Sequence, residues 1–380
     1  MPSTEVEIQP CASKSAETST VADSMTDGKG NSIIDSLFGI NNGSSKLLDD
    51  KVSDRIINTR CGRIRNIRST CFVLQGYNDY GNELKESTTN ALFYHRLIEA
   101  FKFAYAKRSE LGDPRMINIT EVCQEIDLNF GVVRKSLNSD NKTHGLDYYG
   151  GTWFDKEKTG TTHLSVVGPD GDAIGLTSTI NLYYGSKVLG PQTGIFYNDQ
   201  MDNFSTPNTT NHYGVPSSPA NYIAPGKRPV SSMSPLIILD NANQRVRLVV
   251  GASGGTKITT SVAQVAMLNL WFNQDIKTAI DAARLHSQLL PHEVVAEQGF
   301  DSKILLQLKQ RGHNITSSAF GGSSVQGIEW REEVNQLWAN CDIRKGGAPD
   351  GLLADHDKND RLTPNEFVVA MHYCDIVGAG

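Results

Sequence analysis

Several features that mark particular classes of protein are missing from this 380-residue sequence. No run of 18 or more apolar residues occurs, which excludes a membrane-spanning helix of ordinary length. The six cysteines include no CxxC pair, so zinc-knuckle and thioredoxin-like sites are not expected. The nine histidines show no HExxH or similar paired spacing, which argues against a metalloenzyme.

The sequence also lacks a basic excess and a signal-peptide core. The 36 lysines and arginines are outnumbered by 42 acidic residues, which leaves a formal net charge of −6. A phosphate-binding surface needs an excess of positive charge, so nucleic acid is not expected as a partner. Residues 1–31 are polar and contain no apolar segment of the kind that a secretory signal carries. Six N-x-S/T sequons nevertheless hint at a secreted context, at Asn42, Asn118, Asn141, Asn203, Asn208 and Asn314.

The order of predicted elements indicates an α+β protein. Residues 1–71 are rich in Ser, Thr, Asn, Asp and Gly and are predicted to be a flexible leader. Apolar spacing predicts helices over 91–108 and 120–137, and 145–160 is predicted to be a loop. Predicted strands then precede predicted helices, which suits a layered α+β domain. The strands are expected at 163–167, 173–182, 236–239 and 245–250, and the helices at 261–272, 276–285 and 302–310.

The dipeptide Gly160-Thr161 stands where a glycine loop runs directly into a strand. This arrangement suits an N-terminal-nucleophile hydrolase, in which a threonine hydroxyl attacks the preceding carbonyl and the bond between them is cut. The freed α-amine, with a pKa of roughly 7.7–8.0, can then act as the base for its own hydroxyl. Taken alone, Gly-Thr-Thr-His is also an ordinary strand start, and the two readings stay open on these residues.

Longer motifs resemble the γ-glutamyltranspeptidase (glutathione hydrolase) family, over about residues 72–351. Residues 216–222 look like its animal branch. The matching stretches are 94–96, 104–108, 112–114, 161–167, 177–188, 225–235 and 250–256. The resemblance implies an Ntn-hydrolase αββα four-layer sandwich, with 72–160 as the end of the large subunit and 161–351 as the small subunit. Most of the large subunit, including its carboxylate-binding arginine, has no expected counterpart here.

The resemblance also implies a role for each of nine residues. Thr161 is the expected nucleophile, Thr179 orients it, and the amides of Gly254 and Gly255 form an oxyanion hole. Ser231 and Ser232 are expected to hold the substrate α-carboxylate, and the α-amino group is expected to contact Asn181, Gln200 and Asn203. Gln200 and Asn203 depart from the usual Glu and Asp, so weaker binding of γ-glutamyl donors is predicted because the amides cannot neutralise an ammonium group.

The expected activity is cleavage of glutathione and other γ-glutamyl amides, with transfer to water, amino acids or peptides. The resemblance implies a heterodimer of the two self-cleaved fragments, no required cofactor, and an extracellular or membrane-facing location. The competing interpretation is a catalytically impaired homologue or fusion that acts as a binding or scaffold protein through its C-terminal tail.

That tail, residues 352–380, resembles part of an EF-hand of an EH domain. The calcium ligands would be the side chains of Asp355, Asp357, Asn359, Thr363 and Glu366 and the carbonyl of Arg361. Asp360 replaces the glycine that makes the sharp turn of such a loop. The residues that follow, 367–372, are predicted to form the exiting helix, and Ca²⁺ is a possible ligand.

Overall fold

The computed structural model describes residues 90–119, 122, 139–154, 160–168, 171–211, 214–240, 245–318 and 322–350, and the backbone alone at 55–57, 351–352 and 367–371. Its helices are α1 Ala91–Arg108, α2 Leu146–Tyr149, α3 Lys257–Leu270, α4 Ile276–Asp281 and α5 Ser302–Gln310. Its first six strands are β1 Arg55–Ile57, β2 Gly160–Val167, β3 Ala173–Asn181, β4 Leu236–Leu239, β5 Val246–Ser253 and β6 Leu285–His286. The other six are β7 Val294–Glu297, β8 Ile315–Ser318, β9 Ser324–Arg331, β10 Gln336–Cys341, β11 Ala348–Leu352 and β12 Phe367–Met371.

Two antiparallel sheets lie face to face at the centre of the fold. One has the strand order β1-β4-β5-β9-β10 and the other β11-β12-β2-β3. Along β2 every second side chain is buried, because successive side chains of a strand point to opposite faces. Val167 of β2 joins Val249 and Ile328 of the facing sheet in one apolar cluster. This packing places the start of β2, with Thr161, against the five-stranded sheet.

Helices cover the opposite face of the five-stranded sheet. Leu97 and Phe101 of α1 and Val262 of α3 pack with Leu248 and Val250 of β5 in the largest apolar cluster. The small sheet β6-β7-β8 packs with α1 and α5 at the side. The α+β class is therefore confirmed, as one helical layer on two sheets. The described helices form no layer on the outer face of the four-stranded sheet. No described helix combines the length and apolarity needed to cross a bilayer.

The sequence predicted the boundaries of several helices and strands correctly. Helix α1 matches its prediction and begins after Asn90, whose Oδ1 accepts a hydrogen bond from Leu92 N at 2.9 Å. Strand β4 and helix α5 also match, at Leu236–Leu239 and Ser302–Gln310. The helix predicted at 276–285 was too long, because it ends at Asp281 and Leu285 pairs with Ala296 instead.

Three further predictions, for the leader, the loop at 145–160 and the helix at 120–137, were wrong in part or fall largely outside the described residues. Three residues of the predicted flexible leader, Arg55–Ile57, form β1 and pair with β4. The predicted loop 145–160 contains the short helix α2. Only Val122 of the predicted helix 120–137 is described, and it lies in a helix.

The predicted exiting helix of an EF-hand was wrong. Phe367–Met371 forms strand β12, which pairs with β11 on one side and with β2 on the other. The segment Phe-Val-Val-Ala-Met has high strand propensity, and β2 offers it a row of backbone hydrogen-bonding groups. The tail is thereby part of the sheet that carries Thr161. The proposed calcium ligands Asp355, Asp357, Asn359, Arg361 and Glu366 lie outside the described residues.

Candidate active site

One open cleft of about 440 Å³ brings together seven of the nine residues singled out in the sequence. They are Thr161, Thr179, Asn181, Asn203, Ser231, Ser232 and Gly255. Gln200 and Gly254 are not among the lining residues.

Thr161 and Thr179 are adjacent cross-strand partners at the start of β2 and the end of β3. The hydroxyl of Thr161 donates to Thr179 Oγ1 at 3.1 Å, and the hydroxyl of Thr179 donates to the carbonyl oxygen of Gly160 at 2.7 Å. The amide of Asn181 donates to the same Thr179 Oγ1 at 2.9 Å. Thr179 thus contacts both the hydroxyl of Thr161 and the carbonyl that precedes it.

Gly160 is sterically required at this position. A Cβ atom there would lie 2.2 Å from the carbonyl oxygen of Leu182, well inside van der Waals contact. The β2–β3 register also shifts between Gly160 and Thr161. A bulge of this kind re-aims a side chain, and bulges are common next to active sites. The backbone at the Gly160–Thr161 bond therefore departs from a regular ladder.

Ser231 and Ser232 lie side by side on the loop before β4. Ser231 Oγ accepts a hydrogen bond from Met233 N at 3.2 Å, and Ser232 Oγ accepts one from Arg108 Nη2 at 2.8 Å. Neither hydroxyl donates to an acceptor among the residues that the structure describes. Since each oxygen already accepts a bond, each hydroxyl proton remains for a ligand in the cleft.

Two buried side chains hold this serine loop in place. The carboxylate of Asp113 accepts a hydrogen bond from Arg115 Nη2 at 2.7 Å and one from Arg228 N at 2.8 Å. These bonds lower the pKa of Asp113, and the bond from the Arg115 side chain has the largest effect. Asn221 joins the loop to the other wall: its Nδ2 donates to Asn203 O at 2.9 Å and its Oδ1 accepts from Val230 N at 2.9 Å.

The opposite wall presents amide groups. Asn181 is buried at the end of β3 with a left-handed backbone (φ 76°), a conformation that asparagine tolerates better than most residues. Its Nδ2 donates to Asp199 O at 3.3 Å. Its buried Oδ1, and the buried Oε1 of Gln200, receive no hydrogen bond from the described residues. Such acceptors are costly to leave unsatisfied, and of these two residues Asn181 lines the cleft.

Gly254 and Gly255 form the turn between β5 and α3. Gly254 has φ +125°, and a Cβ atom there would lie 2.3 Å from Gly322 O. Gly255 has φ 61° and borders the cleft. Neither amide donates to an acceptor in the described part of the chain. The turn thus supplies backbone donors at the N-terminal end of a helix, a favourable place for negative charge.

His163, two residues after Thr161, is buried and its ring is held by two hydrogen bonds. Its Nδ1 is 2.8 Å from Thr177 Oγ1 and its Nε2 is 3.0 Å from Ser165 Oγ. Burial lowers the pKa of His163 to about 3. Both ring nitrogens are engaged between the sheets, so His163 is not positioned as a base for Thr161.

The described residues contain one group of side chains with the composition of a metal site: His95, Glu99 and His313, whose ligand atoms lie within 4.8 Å of one another. Sequence spacing missed this cluster because His95 and His313 are 218 residues apart. His95 Nε2 lies 2.7 Å from Ser139 O, so it carries the proton, and His95 Nδ1 accepts from His313 Nε2 at 2.7 Å. Lys102 Nζ contacts Glu99 Oε1 at 3.2 Å and His313 Nδ1 at 3.4 Å. The lysine already supplies the positive charge, so the cluster is a hydrogen-bond network rather than a metal site.

Sequence reasoning missed six of the residues that line the cleft, among them Arg108 and Asn221. These two lay inside stretches used only for the resemblance, and both are buried and line the cleft. Arg108 ends α1 and is 124 residues from Ser232, its hydrogen-bond partner. No local signal could indicate this contact, because tertiary packing creates it.

Comparison with known proteins gives the family of this chain. The family described as Gamma-glutamyltranspeptidase matches residues 67–352. Scoloptoxin SSD14 of Scolopendra dehaani is 45% identical over 262 residues, which is 68% of this chain and 45% of that protein. Glutathione hydrolase 2 of Arabidopsis thaliana is 36% identical over 287 residues, which is 70% of this chain and 49% of that protein. The chain therefore spans about half the length of these relatives.

A solved structure supports the fold. The cephalosporin acylase of Bacillus halodurans superimposes with a TM-score of 0.59 at 21% identity, covering 77% of this chain and 52% of that one. The family match covers three quarters of the sequence and includes every residue of the cleft. This chain belongs to the γ-glutamyltranspeptidase family.

Proposed function

We propose that this chain is an N-terminal-threonine hydrolase that cuts itself at Gly160–Thr161 and then acts on γ-glutamyl amides such as glutathione. The observation that carries the proposal is the arrangement at Thr179, which accepts from Thr161 Oγ1 at 3.1 Å and donates to Gly160 O at 2.7 Å. Nucleophile, orienting hydroxyl and scissile carbonyl are in one hydrogen-bonded unit. They open onto the cleft that Asn181, Ser231 and Ser232 also line.

Self-cleavage follows from this unit. Thr161 Oγ1 attacks the Gly160 carbonyl carbon, and the Gly160–Thr161 C–N bond breaks as the nitrogen takes a proton, which leaves an ester on Thr161. Water then hydrolyses the ester to give a carboxylate on Gly160 and a free α-amine on Thr161. The hydrogen bond from Thr179 polarises the carbonyl during the attack. A heterodimer of two fragments is the expected product.

Acyl transfer would use the same hydroxyl. The new α-amine takes the proton of Thr161 Oγ1 as the oxygen attacks the γ-carbonyl of the donor, and the leaving amine receives that proton. The amides of Gly254 and Gly255 are proposed to stabilise the oxyanion. The loss of one such donor typically costs about 2.7–4 kcal/mol of transition-state stabilisation. Water, an amino acid or a peptide then accepts the acyl group.

The two walls of the cleft are proposed to bind the γ-glutamyl head group of the donor. The hydroxyls of Ser231 and Ser232 are proposed to donate to its α-carboxylate. The amide oxygens of Asn181, Gln200 and Asn203 are proposed to accept from its α-ammonium group, and the buried, unsatisfied Oδ1 of Asn181 supports this. The proposed chemistry needs no cofactor. An extracellular location is proposed from the family resemblance.

A denaturing gel with N-terminal sequencing of the expressed full chain tests the proposal. The wild type should give two fragments, one beginning at Thr161, and should release aniline from a γ-glutamyl anilide. Thr161→Ala should remain one polypeptide and release none. A wild-type chain that stays whole, under conditions where relatives mature, would refute the enzymatic reading and favour a binding or scaffold role.

Calcium binding by the tail remains a separate prediction. The strand Phe367–Met371 pairs with β2 where an EF-hand would have a helix, which counts against a regular EF-hand and against a free-standing scaffold module. Calorimetric titration of the full chain with Ca²⁺ tests it, with Glu366→Gln as control. Heat that the control abolishes would support a site, and identical traces would exclude one.

A further inference from the structure

The amide of Gly255, which borders the cleft, belongs to the same peptide group as the carbonyl of Gly254. In a trans peptide the C=O and N–H bonds lie in one plane and point in opposite directions, so whatever fixes the carbonyl also fixes the amide. The carbonyl oxygen of Gly254 accepts a hydrogen bond from Lys257 N at 3.2 Å. The direction of the Gly255 N–H group is therefore set by a bond on the far side of its peptide group.

That bond leads to a second peptide group and then to a tyrosine of α1. The amide of Lys257 shares its peptide group with the carbonyl of Thr256, and the oxygen of this carbonyl accepts a hydrogen bond from the hydroxyl of Tyr105. Two peptide groups in series thus connect the Tyr105 hydroxyl to the Gly255 amide. Hydrogen bonds arranged in such a chain polarise one another, which strengthens each by roughly 10–30%.

Tyr105 is held rigidly enough to keep this chain of bonds in one orientation. Its side chain is only 5% exposed and belongs to the largest apolar cluster. Its ring packs edge-to-face against His286, with 5.9 Å between the ring centroids. Because these contacts involve the ring and not the hydroxyl, a phenylalanine at this position would keep them and lose only the bond to Thr256.

The side chain of Thr256 attaches the same turn to a second element. Thr256 is the N-cap of α3, a position where a threonine hydroxyl usually accepts from the first amides of the helix. Here the hydroxyl does not bond to those amides, all of which the structure describes, and donates instead to Gln288 Oε1. Gln288 Nε2 in turn donates to Leu290 O at 2.8 Å. Thr256 is therefore held through both its carbonyl and its side chain.

We propose that Tyr105 is a positioning residue for the turn at Gly254 and Gly255, and that its hydroxyl sets the direction and strength of the Gly255 N–H donor. The inference rests on the proposed function, in which that donor stabilises the oxyanion. Tyr105 is not among the described residues that line the cleft, so it acts through the turn and not on the ligand. A donor aimed at an oxygen matters most when negative charge develops there, so the effect belongs to the transition state.

Two competitive inhibitors of anilide hydrolysis test the proposal in Tyr105→Phe. A γ-boronic acid analogue of glutamate becomes a tetrahedral anion when Thr161 Oγ1 adds to its boron, whereas L-norvaline shares the head group and has no oxygen at that end. The variant should bind the boronic acid about 10-fold more weakly, less than the roughly 10²–10³-fold effect of removing an oxyanion donor outright. Its inhibition constant for L-norvaline should stay within about 2-fold, because ground-state binding does not use the donor. The value of kcat, counted per mole of cleaved chain, should fall with the boronic acid affinity.

Tyr149→Phe is the matched control, because it removes another buried tyrosine hydroxyl, one that donates to Glu99 Oε2 at 2.6 Å, and it should change neither inhibition constant. Unchanged boronic acid inhibition in Tyr105→Phe, or an equal loss for both inhibitors, would overturn the inference and leave the proposed function standing. A wild type that stays uncut and inactive would overturn both. If Tyr105→Phe does not fold, as judged by thermal melting, 3-fluorotyrosine in place of Tyr105 decides. Its more acidic hydroxyl is a stronger donor, so the boronic acid should bind more tightly than to the wild type, and no gain would overturn the inference.

Discussion

The hydroxyl of Thr179 donates a hydrogen bond to the carbonyl oxygen of Gly160, 2.7 Å away, while its oxygen accepts from Thr161. One side chain thereby links the proposed nucleophile, Thr161, to the bond that it is proposed to cut. The link depends on the pairing of β2 with β3, which sets Thr161 opposite Thr179. Sheet register therefore determines the geometry of the proposed self-cleavage.

Thr179→Val should slow self-cleavage about 10- to 100-fold. Valine keeps the shape and strand propensity of threonine but removes the bonds to Thr161 Oγ1 and Gly160 O, and such bonds contribute about 1.5–3 kcal/mol when charge develops on one partner. The measurement is the rate at which the full-length band disappears from a denaturing gel. Thr179→Ser should restore most of the rate, and an unchanged rate in the valine variant would exclude the proposed role of Thr179.

Gly160→Ala should block maturation by displacing the scissile bond. The added methyl group would lie 2.2 Å from Leu182 O, so the backbone around Thr161 must move. We expect accumulation of uncut chain on the gel. Gly168→Ala is the matched control just past the other end of β2, since its Cβ would meet Asp172 O at 3.6 Å and Asp172 Cβ at 3.9 Å, both ordinary contacts. Equal cleavage of both variants would show that the tight contact at Gly160 does not matter.

Asn203→Asp should shift the preference of the cleft towards donors with an α-ammonium group. A carboxylate can neutralise the ammonium, whereas the amide can only accept a hydrogen bond, and the difference is on the order of 1 kcal/mol or about 5-fold. The measurement is the ratio of kcat/KM for γ-glutamyl and glutaryl p-nitroanilides, which differ in that group. Asn335→Asp, in the turn between β9 and β10, is the charge-matched control. An unaltered ratio in Asn203→Asp would contradict the assignment.

Buried His163 should make the protein less stable as the pH falls below about 6.5. Its pKa is about 3 in the folded chain, where burial disfavours the charged form, and about 6.5 in the unfolded chain. Between these values only the unfolded state takes up the proton, so the stability present above pH 6.5 declines towards pH 3. The expected slope is about 1.4 kcal/mol per pH unit for this one group.

Urea unfolding of the wild type and His163→Gln at pH 5 and pH 7.5 measures this slope. Between pH 7.5 and pH 5 the free energy of unfolding should fall less in the variant than in the wild type. The difference should be about what the uptake of one proton by the unfolded state contributes. Identical losses would mean that His163 does not titrate in this way.

The sequence predicted those helices and strands whose apolar spacing and capping residues lie within the element itself. Helix α1 carries its own apolar spacing and an asparagine cap, and both of its ends were predicted correctly. Seven of the nine assigned site residues line the cleft, and six of these seven belong to motifs that the resemblance could align. The short strands β6 to β10 were not predicted, since each is stabilised mainly by pairing with distant segments.

The sequence by itself determined the family and the α+β class, and it singled out Gly160-Thr161 as the candidate cleavage site. These conclusions depend on residue order and local propensity. Only the tertiary structure decided that Phe367–Met371 is a strand of the sheet that carries Thr161, since its pairing with β2 joins segments that are about 200 residues apart. It also decided that Arg108 enters the cleft, 124 residues from Ser232 along the chain. Contacts of this kind arise when helices and sheets pack, and no stretch of sequence encodes them alone.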